Sequence, residues 1–183
     1  MSKQSLHLLA EQGFSPVRGY HHYVAMARKN LRAHLQGDVV RYKTPGSTFP
    51  IAAAVEIPTD ARTVYLSGKV PPVVDKSKPA TDPAAYGGDT EGQTVAILKG
   101  LEDQLKGMNL GMSDVVKMQV FLKAPQGQND MDFRGFSQSY LRFFDAKAGV
   151  KLPARSLLQT QGFANPGWLV EIDVIAARPA QNR

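Results

Sequence analysis

A chain of 183 residues, 43% hydrophobic and 21% charged, has the length and composition of one globular domain able to bury its own core. Having no Cys, it excludes disulfide frameworks, thiolate metal sites and cysteine nucleophiles. The formal charge of +6 is concentrated at the start. Residues 1–43 carry Lys3, Arg18, Arg28, Lys29, Arg32, Arg41 and Lys43 against Glu11 and Asp38, whereas the rest of the chain holds fifteen basic and fourteen acidic side chains. A polyanion-binding reading is therefore confined to that first segment.

The first 38 residues read as a basic N-terminal extension. They hold all four His (His7, His21, His22, His34) and a weak helical pattern, with Val24, Ala27, Leu31 and Leu35 on one side and Arg28, Lys29 and Arg32 on the other. From Val39 onward the punctuation becomes regular, and residues 39–183 read as the folded domain. Short β-type runs at Val39–Tyr42, Ile51–Ile57 and Thr63–Ser67 are separated by Pro45-Gly46 and Pro58-Thr59-Asp60. A Pro-rich loop from Lys69 to Gly88 leads to a helix starting at Asp89, whose Ile97, Leu101 and Leu105 repeat at helical spacing until the glycines at 107 and 111. Val115–Leu122 alternates as a strand, and Asp132–Phe144 reads as a second helix with the stripe Phe133, Phe136, Tyr140 and Phe144.

Two strands, Ala154–Gln161 and Trp168–Ala177, close the chain around Asn165-Pro166-Gly167. The order β-β-β-α-β-α-β-β predicts an α+β domain, one mixed β-sheet with two helices on one face. Such a sheet must cover its other face. Leu157, Leu169 and Ile175 are expected there, which predicts self-association. No apolar run approaches the roughly 18 residues needed to span a bilayer. The expected protein is soluble and cytoplasmic, or periplasmic or organellar if the extension is a targeting remnant.

Most catalytic signatures are absent: no GxGxxG after a strand, no P-loop, no HExxH and no Gly-x-Ser-x-Gly. His21 and His22 are adjacent and have no further ligands nearby, so no metal is expected. Arg155 and Glu171, on the last two strands, remain. Period two places Arg155 with Leu157, Gln159 and Gln161, and Glu171 with Leu169, Asp173 and Ile175. Two readings are open. Arg155 offers a fork for a carboxylate and Glu171 a group that exchanges a proton with water; alternatively the two form a structural ion pair.

The segments Val64-Tyr65-Leu66-Ser67-Gly68-Lys69-Val70-Pro71, Gln93-Thr94, Asp114–Leu122, Leu152-Pro153-Ala154-Arg155-Ser156 and Val170-Glu171-Ile172 follow one another in order. Together, over about Val39 to Arg178, they resemble the RidA (YjgF) family of enamine/imine deaminases. The resemblance implies a chorismate-mutase-like fold and a homotrimer with sites between subunits. It also implies cofactor-free and metal-free hydrolysis of small reactive enamines and imines of the 2-aminoacrylate type to 2-keto acids and ammonia. By the same resemblance Arg155 binds the substrate carboxylate, Ser67 and Gly68 line the pocket, and Glu171 positions or activates water.

Three positions depart from the family's pattern. Ile51 stands where a Tyr often follows Gly-Pro, Ser137 stands where an Asn often precedes the helix residue Tyr140, and Leu157 stands where a Cys often follows Arg-Ser. These residues, with Tyr140, are the expected pocket neighbours, and they imply a retained carboxylate clamp with an altered substrate range. They also keep open a non-catalytic module that binds a small keto or amino acid. Ribonuclease or translation inhibition, long attached to the family name, is the weaker alternative. The near-neutral body shows no basic groove with interleaved aromatics, and neither nucleic acid nor membrane is an expected partner.

Overall fold

The structure, a computed structural model, describes residues 38–178; the proposed extension up to residue 37, with every His, lies outside the described residues. Six strands and two helices alternate: β1 (Val40–Tyr42), β2 (Ala54–Glu56), β3 (Arg62–Lys69), α1 (Thr90–Gly107), β4 (Val115–Lys123), α2 (Phe133–Phe143), β5 (Ala154–Thr160) and β6 (Val170–Arg178). The α+β class and the element order agree with the sequence reading. The sheet is less continuous than expected. β1 and β2 pair only with each other, and the main sheet has four strands in the order β3-β6-β4-β5, with β4 and β5 parallel and the other pairs antiparallel.

The expected strand over Ile51–Ile57 is broken because its first half serves another edge. Ala52 forms an isolated parallel bridge to Ala154, with Ala52 N–H donating to Pro153 C=O at 2.9 Å. That bridge lays residues 49–52 beside the start of β5. Arg41 fixes the ribbon to the body from the other side, donating from Nε to Leu152 C=O at 3.1 Å and from Nη2 to Ser113 and Val115 C=O at 2.7 and 3.2 Å.

Both helices start where their caps dictate. The Asp89 carboxylate accepts from Gly92 N–H at 2.7 Å and the Asp132 carboxylate from Gly135 N–H at 2.8 Å. Ile97, Leu98, Leu101 and Leu105 of α1 and Phe136, Tyr140 and Phe144 beyond and along α2 are buried against Met118, Val120 and Leu122 of β4 and Val170, Ile172 and Val174 of β6. Phe133 drops out of the predicted stripe; in the first turn of α2 it is 41% exposed.

The reasoning that put Leu157 and Leu169 on the uncovered face is corrected. Leu157 packs against the core, and Leu169 is buried. Leu169 precedes the strand, so alternation does not reach it. The open face instead carries Tyr65, Phe121, Leu158 and Ile175, with Tyr65 77% exposed.

Leu169 is held by Gln93, a fully buried residue of α1. Its Nε2 donates to Gly167 C=O at 2.9 Å and its Oε1 accepts from Leu169 N–H at 2.8 Å, so one amide closes the turn that launches β6. Replacing Gln93 by Leu keeps the volume but orphans both backbone groups, at about 1–3 kcal/mol each. Urea denaturation of Gln93→Leu should show that loss, whereas an unchanged midpoint would mean the turn finds other partners.

Candidate functional site

Arg155 and Glu171 sit on opposite faces of the sheet. The parallel register of β4 and β5 sets Arg155 opposite Met118, a core residue, so its side chain points to the helix side. Gln159, on the same face of β5, confirms the direction by accepting from Met131 N–H and donating to Asn129 C=O just before α2. Glu171 lies opposite Phe121 on the side away from the helices. A shared face and an ion pair between the two within one chain are thereby excluded. Two strands whose partner is a third have no relative facing that alternation alone determines.

On the helix side the Arg155 guanidinium is boxed by rings. Its central carbon lies 4.3 Å from the Tyr140 ring centroid, 5.1 Å from that of Phe136 and 5.6 Å from that of Phe49. Tyr140 stacks in turn on Phe144, with centroids 4.7 Å apart, and its hydroxyl donates to Pro50 C=O at 2.9 Å. That bond ties α2 to the 49–52 segment, which brings Phe49 over the cation and Ile51 into the neighbourhood. Burial pushes the Tyr140 phenol up to about 12, against the pull of Arg155, so the hydroxyl stays a donor.

Arg155 has no acidic partner among the described residues, and its Nη1 is buried without a hydrogen bond. Burial lowers its proton affinity, partly offset by Tyr140. Ser137 Oγ on α2 is likewise buried and unpartnered. Ring contacts with a cation are worth about 0.5–2 kcal/mol, whereas the effective penalty for removing an ion from water is several kcal/mol. The box therefore holds a cation whose electrostatics an anion would complete.

On the open face a bulge interrupts the β3–β6 register between Leu66 and Lys69 and exposes Ser67 and Gly68. Glu171 folds over Gly68. A Cβ built there would meet Glu171 Oε1 and lie 2.7 Å from Asp173 Oδ1, so a side chain at this position would have to displace both carboxylates. Desolvation, and then the neighbouring Asp173, raise the proton affinity of Glu171. β3 and β5 are the two edges of the sheet, so the candidate residues fall into two groups: Ser67 and Gly68 with Glu171 on the open face toward one edge, and Arg155 with its rings on the helix side at the other.

A cleft of 370 Å³ opens beyond the second group, lined by Lys43, Ser47, Phe49, Leu141, Phe144 and Lys147 among others, but not by Arg155. It shares Phe49 with the ring box and holds none of the paired chemistry, so the unpartnered guanidinium is the better guide. Phe49, Phe136 and Asp173 were missed as site residues. Phe136 was read as part of the core stripe of the helix, Phe49 was given no role, and Asp173 looked like one more alternating polar residue. Among the described residues no group of three His, Cys, Asp or Glu side chains is placed to hold a metal, and no helix is long and apolar enough to cross a membrane.

Comparison with known proteins adds a family. A family model described as Endoribonuclease L-PSP matches residues 45–178. A second, described as an RNA repair pathway DNA polymerase beta family, matches residues 2–50, of which only 38–50 are described. A RutC family protein from Sulfurisphaera tokodaii is 29% identical over 137 residues, covering 74% of this chain and 94% of that protein. The crystal structure of YyfB, a protein of unknown function from the conserved Rid family of Yersinia pestis, is similar with a TM-score of 0.55 at 21% identity, covering 75% of this chain and 96% of that one.

An unpaired, partly buried cation costs stability that a methionine of similar length would not. Arg155→Met should melt at or above the wild-type temperature, and a loss of more than a few degrees in thermal denaturation would assign Arg155 to structure.

Proposed function

The chain belongs to the endoribonuclease L-PSP family, also called RidA or YjgF, and from that premise we propose that it hydrolyses small 2-imino acids to 2-keto acids and ammonia. The observation that carries the reading is the Arg155 guanidinium, desolvated among three rings with a free, buried Nη1. A planar fork of this kind matches a carboxylate in two-point geometry. The imine carbon then sits next to the clamped carboxylate, beside Ile51, Ser137 and Leu157.

The reaction needs a proton moved twice. Protonation of the imine nitrogen makes the carbon electrophilic. Water adds, forming the C–O bond as a base removes its proton. The amino nitrogen of the resulting carbinolamine then takes a proton, its C–N bond breaks as the oxygen forms the C=O bond, and ammonia leaves while the remaining hydroxyl proton passes to the base. A carboxyl group of raised proton affinity suits this exchange because it can give a proton and then take one back. Glu171 has that character, with Ser67 and Gly68 at its side.

One protomer cannot apply both groups to one small molecule, since they lie on opposite faces and two strands apart, roughly 10 Å laterally at the usual strand spacing. A closed head-to-tail ring, in which the β5 edge of each copy meets the β3 edge of the next, joins the half-sites and covers Tyr65 and Leu158. A homotrimer is the form of that ring we propose. A second reading has a specific observation behind it. Ile51 and Leu157 bring no polar group to the helix-side half-site, which suits a keto-acid binding module in which Glu171 is idle.

Two measurements separate these readings. A dehydratase-coupled assay generating 2-iminopropionate should show faster keto-acid formation with the wild-type chain, and Glu171→Gln should lose roughly 10²-fold or more. Mixing Arg155→Met with Glu171→Gln chains should restore roughly a quarter of the sites if each draws on two copies. Keto-acid binding without acceleration would favour the binding module. No recovery on mixing, despite confirmed subunit exchange, would place each site within one protomer.

A further inference from the structure

Glu171 and Asp173 are two residues apart on β6, so both carboxylates leave the same face of the strand. Their convergence is closer than that spacing requires. An oxygen from each lies under 3.0 Å from the single point where a Gly68 Cβ would stand, which brings the two groups within the range at which like charges contest a proton. The space is there because the bulge in β3 places a residue without a side chain under both. Asp173 Oδ1 is buried with no hydrogen-bond partner, although a carboxylate oxygen is a strong acceptor. A neutral carboxyl on Glu171 would offer it an O–H from the other side of the same point.

The surrounding charges do not neutralise the pair. On β4, Gln119 faces Asp173 and Phe121 faces Glu171. Lys117, opposite Ile175, donates to Ser156 Oγ at 2.9 Å, and Lys123 donates to Pro166 C=O at 2.7 Å. On β3, Tyr65 and Ser67 are neutral, and Lys69 pairs with Ile172, on the other side of the bulge. On β5, the same face carries Ser156 and Leu158. No cation among the described residues makes an ion pair with either carboxylate.

We propose that Asp173 is a positioning residue that acts with Glu171 as one acid–base pair over Gly68, Glu171 exchanging the proton with the reacting atoms and Asp173 governing when it is held. This rests on the hydrolytic reading of Glu171 given above. The raised proton affinity of Glu171, set first by desolvation and next by Asp173, agrees with the geometry. The sign follows: removing the Asp173 charge lowers the pH at which Glu171 loses its proton.

The experiment is a pair of pH titrations on the full chain, wild type against Asp173→Asn, with Asp173→Glu as the charge-conserving control. In the first, NMR with ¹³C-labelled glutamate side chains follows the Glu171 carboxyl, assigned by its disappearance in Glu171→Gln. Its midpoint should fall in Asp173→Asn and stay near the wild-type value in Asp173→Glu. In the second, the Glu171-dependent limb of kcat/KM for imine hydrolysis should move to lower pH by the same interval. An unmoved midpoint overturns the proposal, as does a fall in rate with no shift of the limb. A shifted midpoint in a protein that hydrolyses no imine keeps the coupling and removes the hydrolytic reading on which its use depends.

Discussion

A cation that is half withdrawn from water, faced by aromatic rings and given no carboxylate, is the constraint around which the structure is arranged. Rings tolerate a guanidinium, but their attraction is smaller than the hydration it forgoes. Keeping it in place falls to covalent geometry and packing: Arg155 begins a central-face position on β5, Pro153 fixes the entry through its carbonyl to Ala52, and Tyr140 reaches across to Pro50. Each of those bonds uses a backbone acceptor and leaves the guanidinium fork uncommitted. A box built only to stabilise the fold would be better filled by an apolar side chain, which is what motivates the carboxylate-binding proposal.

Gln93 and Arg41 do the opposite work. Both are polar, both are at least partly buried, and every contact they make is to backbone on distant segments: Gly167 and Leu169 for the first, Leu152, Ser113 and Val115 for the second. They convert loops at the two ends of the sheet into fixed anchors. The contrast with Arg155 is informative. Partial burial lowers the proton affinity of both arginines, yet Arg41 has three carbonyls around it and Arg155 has a bare Nη1. The difference lies in satisfaction: Arg41 is committed to backbone, and Arg155 keeps a donor uncommitted.

Much of the fold was legible because periodicity and caps act locally. Asp89 and Asp132 announce their helices, and the alternation from Val116 to Leu122 predicts which residues of β4 are buried. The failures share one cause, which is information held between elements. That Ile51–Ile57 splits between two partners, that Leu169 belongs to a turn gripped by Gln93, and that Arg155 points toward α2 all depend on register with strands far away in sequence. Arg155 and Glu171 stood out in the sequence as candidates by residue type and by resemblance. Their division across the sheet was not legible, because facing is decided by β4, which lies between them.

That division has a consequence for how such a site can change. In the proposed site the helix-side half draws on residues 49–52, Ser137 and Leu157, while the open-face half draws on a bulge whose glycine lies under two converging carboxylates. On the proposed reading the first half chooses the molecule and the second moves the proton. Substitutions such as those at Ile51 and Leu157 then alter what is held without touching Glu171, and Gly68 is where any side chain at all would disturb the proton-handling pair. If, as proposed, the halves meet between copies, subunit contacts hold the relation of clamp to acid, and a perturbation of the β3 or β5 edge separates binding from turnover while leaving each protomer folded.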